Sequence, residues 1–418
     1  MIRHVLLVAL VLVACVSACD DNGGTTPPPD STVPDTQVGG ETSPPADGPT
    51  PQVDGVVPDL PQGPDGPPPA PEWKTVPGAG PAVASATATL LNDGRVLVVG
   101  GYVYKSATST VRVYQKAAWL YDPSQNAFVS AGEMSVARGD HTASLLPDGR
   151  VIVAGGYDGS NEHDTTEIFD PTKPAASAWS AGPKLSGPRM AHSAVTLTDG
   201  RVVIAGGMAW PSYLTSFEIY KPGTNSFQTP GVVLSTGKAR MATALLAGDK
   251  IFLAGGDDGS SAFSNVLETY EPNSGTVTAL GATLTNKKSA PFAFTLSSGK
   301  VMITAGYAFA YPPEDDLFDP TTGKTTTLTH PGGSARGSAA TLLKDGRVLV
   351  AGGFESAQQN KVRVFNEQGV MWDTEPDMLS ARSYFALVTL KDGSVLAIGG
   401  REGTKDTFPA EAERLYNP

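Results

Sequence analysis

Six cations recur at one place in successive segments of this chain: Arg138, Arg189, Arg240, Lys288, Arg336 and Arg382. Gathered around one opening, they would make an anion or carboxylate cradle, since a guanidinium presents a planar fork of donors. The alternative is internal pairing, each cation meeting an acid of its own or the next segment. Glu167, Glu218 and Glu268 recur at matching positions and suit that role. His141 and His192 stand three residues after Arg138 and Arg189. A two-histidine metal pair is one reading, but further ligands are lacking. The reading preferred here is a repeat residue that satisfies backbone groups at the start of a strand.

Aromatic residues form a second set. Tyr102, Tyr104, Tyr157, Trp210, Tyr213, Phe263, Tyr307, Phe309, Tyr311, Phe354 and Phe408 lie in segments that vary in length and content. Tyr and Trp on variable loops suit stacking on sugars or anchoring a protein partner. Several would fold inward instead and cover the scaffold beneath. Tyr157-Asp158-Gly159 and Asp257-Asp258-Gly259 could supply calcium ligands, but the twelve-residue loop with a closing Glu is absent, so solvated turns are expected. No nucleophile elbow, phosphate loop, HExxH or convincing carboxylate pair is present.

The elements that position these residues repeat. A phrase such as LLPDGRVIVAGG ends at Gly101, Gly156, Gly207, Gly256, Gly306, Gly353 and Gly400, at intervals of 55, 51, 49, 50, 47 and 47 residues. Such a period marks a propeller or solenoid, whose units bury their apolar faces only against neighbours. Each unit has an alternating strand, a polar turn that is usually Asp-Gly, and a continuous β-branched strand. Asp-Gly accepts the positive φ of a tight hairpin. A Gly pair follows, then a third strand closing on an aromatic, as in EIFDP at Glu167. A fourth strand starts near Phe128, Trp179, Phe227 or Trp372 in several units. Four antiparallel strands repeated seven times predict an all-β, seven-bladed propeller. The last unit stops after its third strand, at Pro418. EWKTVPG from Glu72 reads like a fourth strand, so the segment at Trp73 is expected to pair beside Leu415-Tyr416 and close the ring. Six blades with an irregular first unit is the alternative.

The double glycine, the aromatic ends of the third strands, the Trp or Phe of the fourth and the period near fifty together resemble kelch repeats over Glu72 to Pro418. The DGRVLVAGG form is similar to bacterial kelch and galactose-oxidase-type propellers. Ala305 in place of the first Gly, and Ser298-Gly299 in place of Asp-Gly, depart from the pattern in one unit. Resemblance to galactose oxidase implies a copper site of two His, two Tyr and a Cys joined to one Tyr. The chain has two cysteines, Cys15 and Cys19, both ahead of the propeller, so that crosslink cannot be made in it. No cofactor is therefore expected. Periplasmic sialic-acid epimerases are also kelch propellers, though six-bladed, and imply an acidic-sugar ligand.

The ends set the compartment. Residues 1–19 read as a targeting segment: Arg3 and His4, then an apolar run to Val16 too short to span a membrane stably. Val16-Ser17-Ala18-Cys19 resembles the bacterial lipobox, which implies a lipid anchor on Cys19; Cys15 is the alternative. Residues 20–71 read as a disordered tether rich in Pro, Gly and Asp. Ten of the 42 acids lie from Asp20 to Glu72, where Lys and Arg are absent, and they account for most of the net charge of −12. The propeller, residues 72–418, is nearly balanced. A basic stripe is missing, so nucleic acid is not expected as a partner. The expectation is a monomer of the bacterial cell envelope, tied to membrane only through its lipid, that binds protein or carbohydrate on one loop face. The alternative is a carbohydrate-active enzyme, epimerase or oxidase-like, without the copper-radical site.

Overall fold

A computed structural model describes residues 69–106, 109–259, 263–308, 313–330, 335–402, 407–409 and 411–418. The expectations for the targeting segment, Cys15, Cys19, the tether, Phe309 and Tyr311 fall outside the described residues.

Seven four-stranded antiparallel sheets form the seven blades of a propeller. Their second strands are Val96–Val99, Val151–Ala154, Val202–Ala205, Ile251–Ala254, Val301–Thr304, Val348–Ala351 and Val395–Ile398, and all 28 residues are buried. This is why the sequence runs apolar there without alternation: both sheet faces press on neighbouring blades. The core is accordingly split among the seams. Leu97, Val99 and Ala118 of blade 1 meet Val151, Val153 and Phe169 of blade 2. Val203, Phe217 and Ile219 of blade 3 meet Ile251, Leu253 and Tyr270 of blade 4. At the outer edge four blades are pinned by aromatic pairs: Tyr121 opposite Phe128, Phe169 opposite Trp179, Tyr220 opposite Phe227 and Phe365 opposite Trp372.

The seventh blade is built from both ends of the described chain. Glu72–Thr75 pairs antiparallel with Glu413–Tyr416, with Trp73 opposite Leu415. Trp73 is buried against blade 6 residues such as Val364 and Met378, and its Nε1 donates to the Pro376 carbonyl at 2.9 Å. The six-bladed alternative is excluded, because blade 1 is regular (Thr87–Leu90, Val96–Val99, Ala117–Asp122, Ala127–Glu133). Its long loop folds as an extra hairpin, Tyr102–Tyr104 with Arg112–Tyr114. Trp73→Phe keeps most of the buried ring but orphans the Pro376 carbonyl. It is expected to cost about 1–2 kcal/mol, read as a lower midpoint in urea unfolding. An unchanged midpoint would mean that the pairing does not secure the ring.

The Asp-Gly turns cluster on one face of the propeller, opposite the variable loops. In four of them the Asp carboxylate accepts both the backbone N–H and the Nε of the following Arg, as Asp93 does from Arg95 at 2.9 and 2.8 Å. The irregular unit stays regular in space: Ala305 takes φ 59°, close to the 60–67° of the Gly it replaces. The left-handed region admits Ala there at modest cost.

Candidate functional site

The loop face is organised by the segments that lead into the innermost strands. The residue after each Gly pair bridges one residue of such a lead-in: Tyr102 to Ala84, Tyr157 to Gly139, Met208 to Met190, Asp257 to Ala239, Tyr307 to Ser289, Phe354 to Arg336, and Arg401 to Ser383. The next lead-in residue is left-handed in every blade: Ser85, Asp140, Ala191, Arg240, Ala290, Gly337 and Tyr384, with φ from 50° to 72°. Their backbones chain round the axis. Tyr384 N–H donates to Gly337 O, Ser85 to Tyr384, Ala191 to Asp140, Arg240 to Ala191 and Ala290 to Arg240, at 2.7–3.0 Å. The result is a mouth ringed by the side chains of these two positions.

The Gly pair is the stitch that permits this. The second Gly donates its N–H to the lead-in carbonyl of the next blade, as in Gly101 to Arg138 O and Gly156 to Arg189 O. A Cβ on Gly100 would stand 2.4 Å from the Arg138 carbonyl and 2.8 Å from the His141 ring. Only hydrogen fits at that crossing.

The six cations do not gather into a ring at the mouth. Arg138, Arg189, Lys288 and Arg382 lie inside the blades with at most 2% exposure. Arg138 pairs with Glu167 at 2.9 Å, Arg189 with Glu218 at 2.6 Å, Lys288 with Asp315 at 3.2 Å and Arg382 with Glu413 at 2.5 Å. The acids also accept the N–H groups of Ser135, Ser186, Leu379 and Ser380, so the internal reading holds. Two assignments were also out of register. In blade 4 the buried cation is Lys238, paired with Glu268 at 2.5 Å, and in blade 6 the position is Ala335. Arg240 and Arg336 fall instead on the two mouth positions. Arg240 there pairs with Asp257 at 2.5 Å.

His141 and His192 are latches between blades. His141 Nε2 shares a hydrogen bond with Thr87 Oγ1 of blade 1 at 3.0 Å, and His192 Nε2 with Thr142 Oγ1 of blade 2 at 2.9 Å. Burial, with the neighbouring Arg138 charge second, pushes His141 down to about 3; burial and then Arg189 push His192 well below its ordinary value. Both rings are neutral around pH 7. Asp158 spends its carboxylate on the Ser160 and Asn161 N–H groups, as a solvated turn would.

The aromatic candidates divide. Tyr102, Tyr157, Tyr307 and Phe354 occupy the mouth. Tyr102 is buried at 1% and packs with Tyr104, Tyr114 and Phe408, at ring separations of 5.8–6.2 Å. Phe263 packs on Tyr307 at 5.4 Å. Trp210 and Tyr213 sit on a second hairpin, Met208–Ala209 with Ser212–Tyr213, rising from blade 3. Trp210 is 72% exposed, and its backbone N–H donates to Glu162 of the blade 2 loop at 3.3 Å. Sequence reasoning missed Arg112, Tyr114, Tyr384 and Arg401. Arg112 lies 4.8 Å from the Tyr102 ring centre. Arg401 lies 5.5 Å from that of Tyr104 and 5.4 Å from that of Tyr384. Arg336 lies 5.3 Å from Tyr307 and 5.9 Å from Tyr384.

A profile of the Kelch motif matches residues 140–186 and 189–229, most of blades 2 and 3. Two Kelch motifs thus lie in a seven-bladed β-propeller. It is 29% identical over 117 residues to the mouse (Mus musculus) Kelch domain-containing protein 9, a stretch that is 27% of this chain. The chain spans about a third of that relative's length, 32%. In structure the propeller is similar to a fungal alcohol oxidase of the AA5 family in complex with copper. The TM-score is 0.63 at 16% identity, over 82% of this chain and 76% of the oxidase, which is a likeness of fold. The residues here do not fit copper. Among the described residues no three His, Cys, Asp or Glu side chains converge on a metal position. His141 and His192 already spend their Nε2 atoms on threonines. Among the described residues, no helix is long and apolar enough to cross a membrane.

Proposed function

We propose that this kelch propeller is the binding head of a lipid-anchored extracytoplasmic protein and takes protein or glycan ligands on its loop face. The anchor rests on the lipobox-like run ending at Cys19. The observation that carries the binding reading is the hairpin tip at Trp210, which holds a large ring 72% exposed above a face already rich in tyrosine. Exposing an indole costs free energy that a partner recovers on covering it. The rest of the machinery favours binding over turnover. The Arg–Glu pairs are internal, His141 and His192 are latched, and the Asp257 carboxylate is held by Arg240.

A glycan array and a pulldown of envelope proteins with the full chain test this reading. Trp210→Ala is expected to weaken the captured ligand about tenfold, with thermal stability unchanged because the ring packs on little. Turnover of a sugar with no retained glycan or protein ligand would replace the binding reading with an enzymatic one.

A further inference from the structure

The extra hairpin of blade 1 has one edge paired and one open. Gln115 N–H donates to Gly101 O and Lys105 N–H to Val111 O, both at 2.9 Å. With Tyr102 opposite Tyr114 and Val103 opposite Val113, these bonds set the alternation of the ladder. The main-chain groups of Val113 turn toward Tyr102–Tyr104, and those of Arg112 and Tyr114 turn away from it. On the far side Tyr102 exchanges two bonds with Ala84, at 2.9 and 3.0 Å. Beyond Arg112–Tyr114 no further strand follows among the described residues. The two sides of this ribbon also differ. Arg112 lies over the Tyr102 ring at 4.8 Å, and the Tyr114 ring stands 6.0 Å from that of Tyr102 and 5.4 Å from that of Tyr157. Val111 and Val113 stand on the other side, 59% and 42% exposed, with Lys105 across from Val111. Charged side chains on an edge strand usually discourage pairing. Arg112 does not guard this edge, because its guanidinium is drawn onto the tyrosine.

We infer that the Arg112–Tyr114 edge is a docking site for an extended segment of a partner protein, added as a third strand to the hairpin. This rests on the binding reading above, takes its protein branch, and moves the contact from the Trp210 ring to main chain. The open N–H and C=O groups select a polypeptide, since a glycan has no row of amides spaced to match them. The valine side selects apolar, β-branched residues at alternate positions. Residues 102–118 hold Lys105, Arg112 and Lys116 and no acid, so an acidic residue on the incoming strand is the complement. Tyr114 roots the edge beside the mouth: a Cβ on Gly139 of blade 2 would stand 2.7 Å from its ring. A single extended chain reaches such an edge, whereas a second propeller would have to bring its whole loop face with it. The paired side and the tyrosine packing hold the edge ready, so little ordering is left for the partner to drive.

Hydrogen exchange of the full chain decides it, with a blocked peptide of alternating Val and Thr that carries one Glu as probe. In the free protein the Arg112 and Tyr114 amides are expected to exchange ~10-fold or more faster than that of Val113, which faces the ladder. Saturating peptide should slow both by ~10-fold or more. N-methylating the peptide at every second residue should abolish binding for one set of positions and spare it for the other, since alternate amides of a strand point to opposite sides. Val111→Thr combined with Val113→Thr should weaken the peptide ~10-fold, with an unchanged melting temperature because both side chains are exposed. Binding that tolerates both N-methylated sets, or that leaves the two amides unprotected, overturns the inference. So does protection that appears without peptide and grows with protein concentration, which would give the edge to a second copy. If Trp210-dependent capture of glycan or envelope protein persists while the probe protects neither amide, the binding reading survives and this edge does not.

Discussion

Glu218→Leu is expected to lower the unfolding free energy by about 3–5 kcal/mol. The carboxylate is fully buried, 2.6 Å from a guanidinium that is itself 2% exposed. It also accepts the Ser186 N–H at 2.8 Å and the Ser186 hydroxyl at 2.9 Å. Its loss strands the Arg189 charge with only the Gly206 carbonyl and the Ser216 hydroxyl for company. Most of the cost is the unpaired buried charge, so deleting both partners should cost less than deleting one. Arg189→Met combined with Glu218→Leu is expected to recover part of the loss, leaving the Ser186 N–H orphaned at about 1–3 kcal/mol. Two blades already depart from the ion pair. Blade 1 carries Val83 and Trp119 at the two positions, an apolar exchange. Blade 6 carries Ala335 and Arg363, and there burial lowers the guanidinium while Asp315 of blade 5 supports its charge. Guanidinium unfolding of the two single variants, the double variant and the wild type gives the coupling energy directly. A double variant that loses the sum of the singles would mean that the pair acts as two independent residues.

What the sequence made legible was local or strictly periodic. The blade count, the Asp-Gly hairpins and the second strands follow from a fifty-residue period and an apolar run of four. Trp73 as the missing fourth strand followed from its likeness to the segments at Trp179 and Trp372. The register of the lead-ins was not legible. Lys238 and Arg240 are two cations two residues apart, and only the left-handed φ of Arg240 and the bridge at Ala239 decide which one turns inward. In blade 6 a single residue separates Arg336 from the inward position, which Ala335 holds. Arg401 could have been found: it follows Gly399-Gly400 directly, the place held by Tyr102, Tyr157, Tyr307 and Phe354 elsewhere. Arg112 and Tyr114 carried no periodic signal. They reach the mouth because the first loop folds back as a hairpin, a pairing its length alone does not predict.

Acid should loosen the propeller well above the range where its carboxylates titrate. His141 and His192 are buried and neutral, and burial lowers both, His141 to about 3 from an ordinary 6.5. In the unfolded chain both take up a proton near 6.5. Between that pH and the folded values the unfolded state binds protons that the native state refuses. The stability these residues allow is therefore complete above pH 6.5 and falls as pH drops. At pH 5 each histidine is expected to cost about 2 kcal/mol relative to pH 7.5. Half-buried His163, lowered mainly by burial, adds in the same direction. Asp316, raised by burial, opposes it. Carboxylates lowered by their partners, such as Asp93 and Asp148, fail only below the ordinary carboxylate range and leave this window clear. His141→Gln and His192→Gln retain a group able to bond Thr87 and Thr142 but cannot titrate. Urea midpoints followed from pH 7.5 to 5 should fall steeply in the wild type and far less in the double variant. An equal fall in both would remove the two latches as its cause.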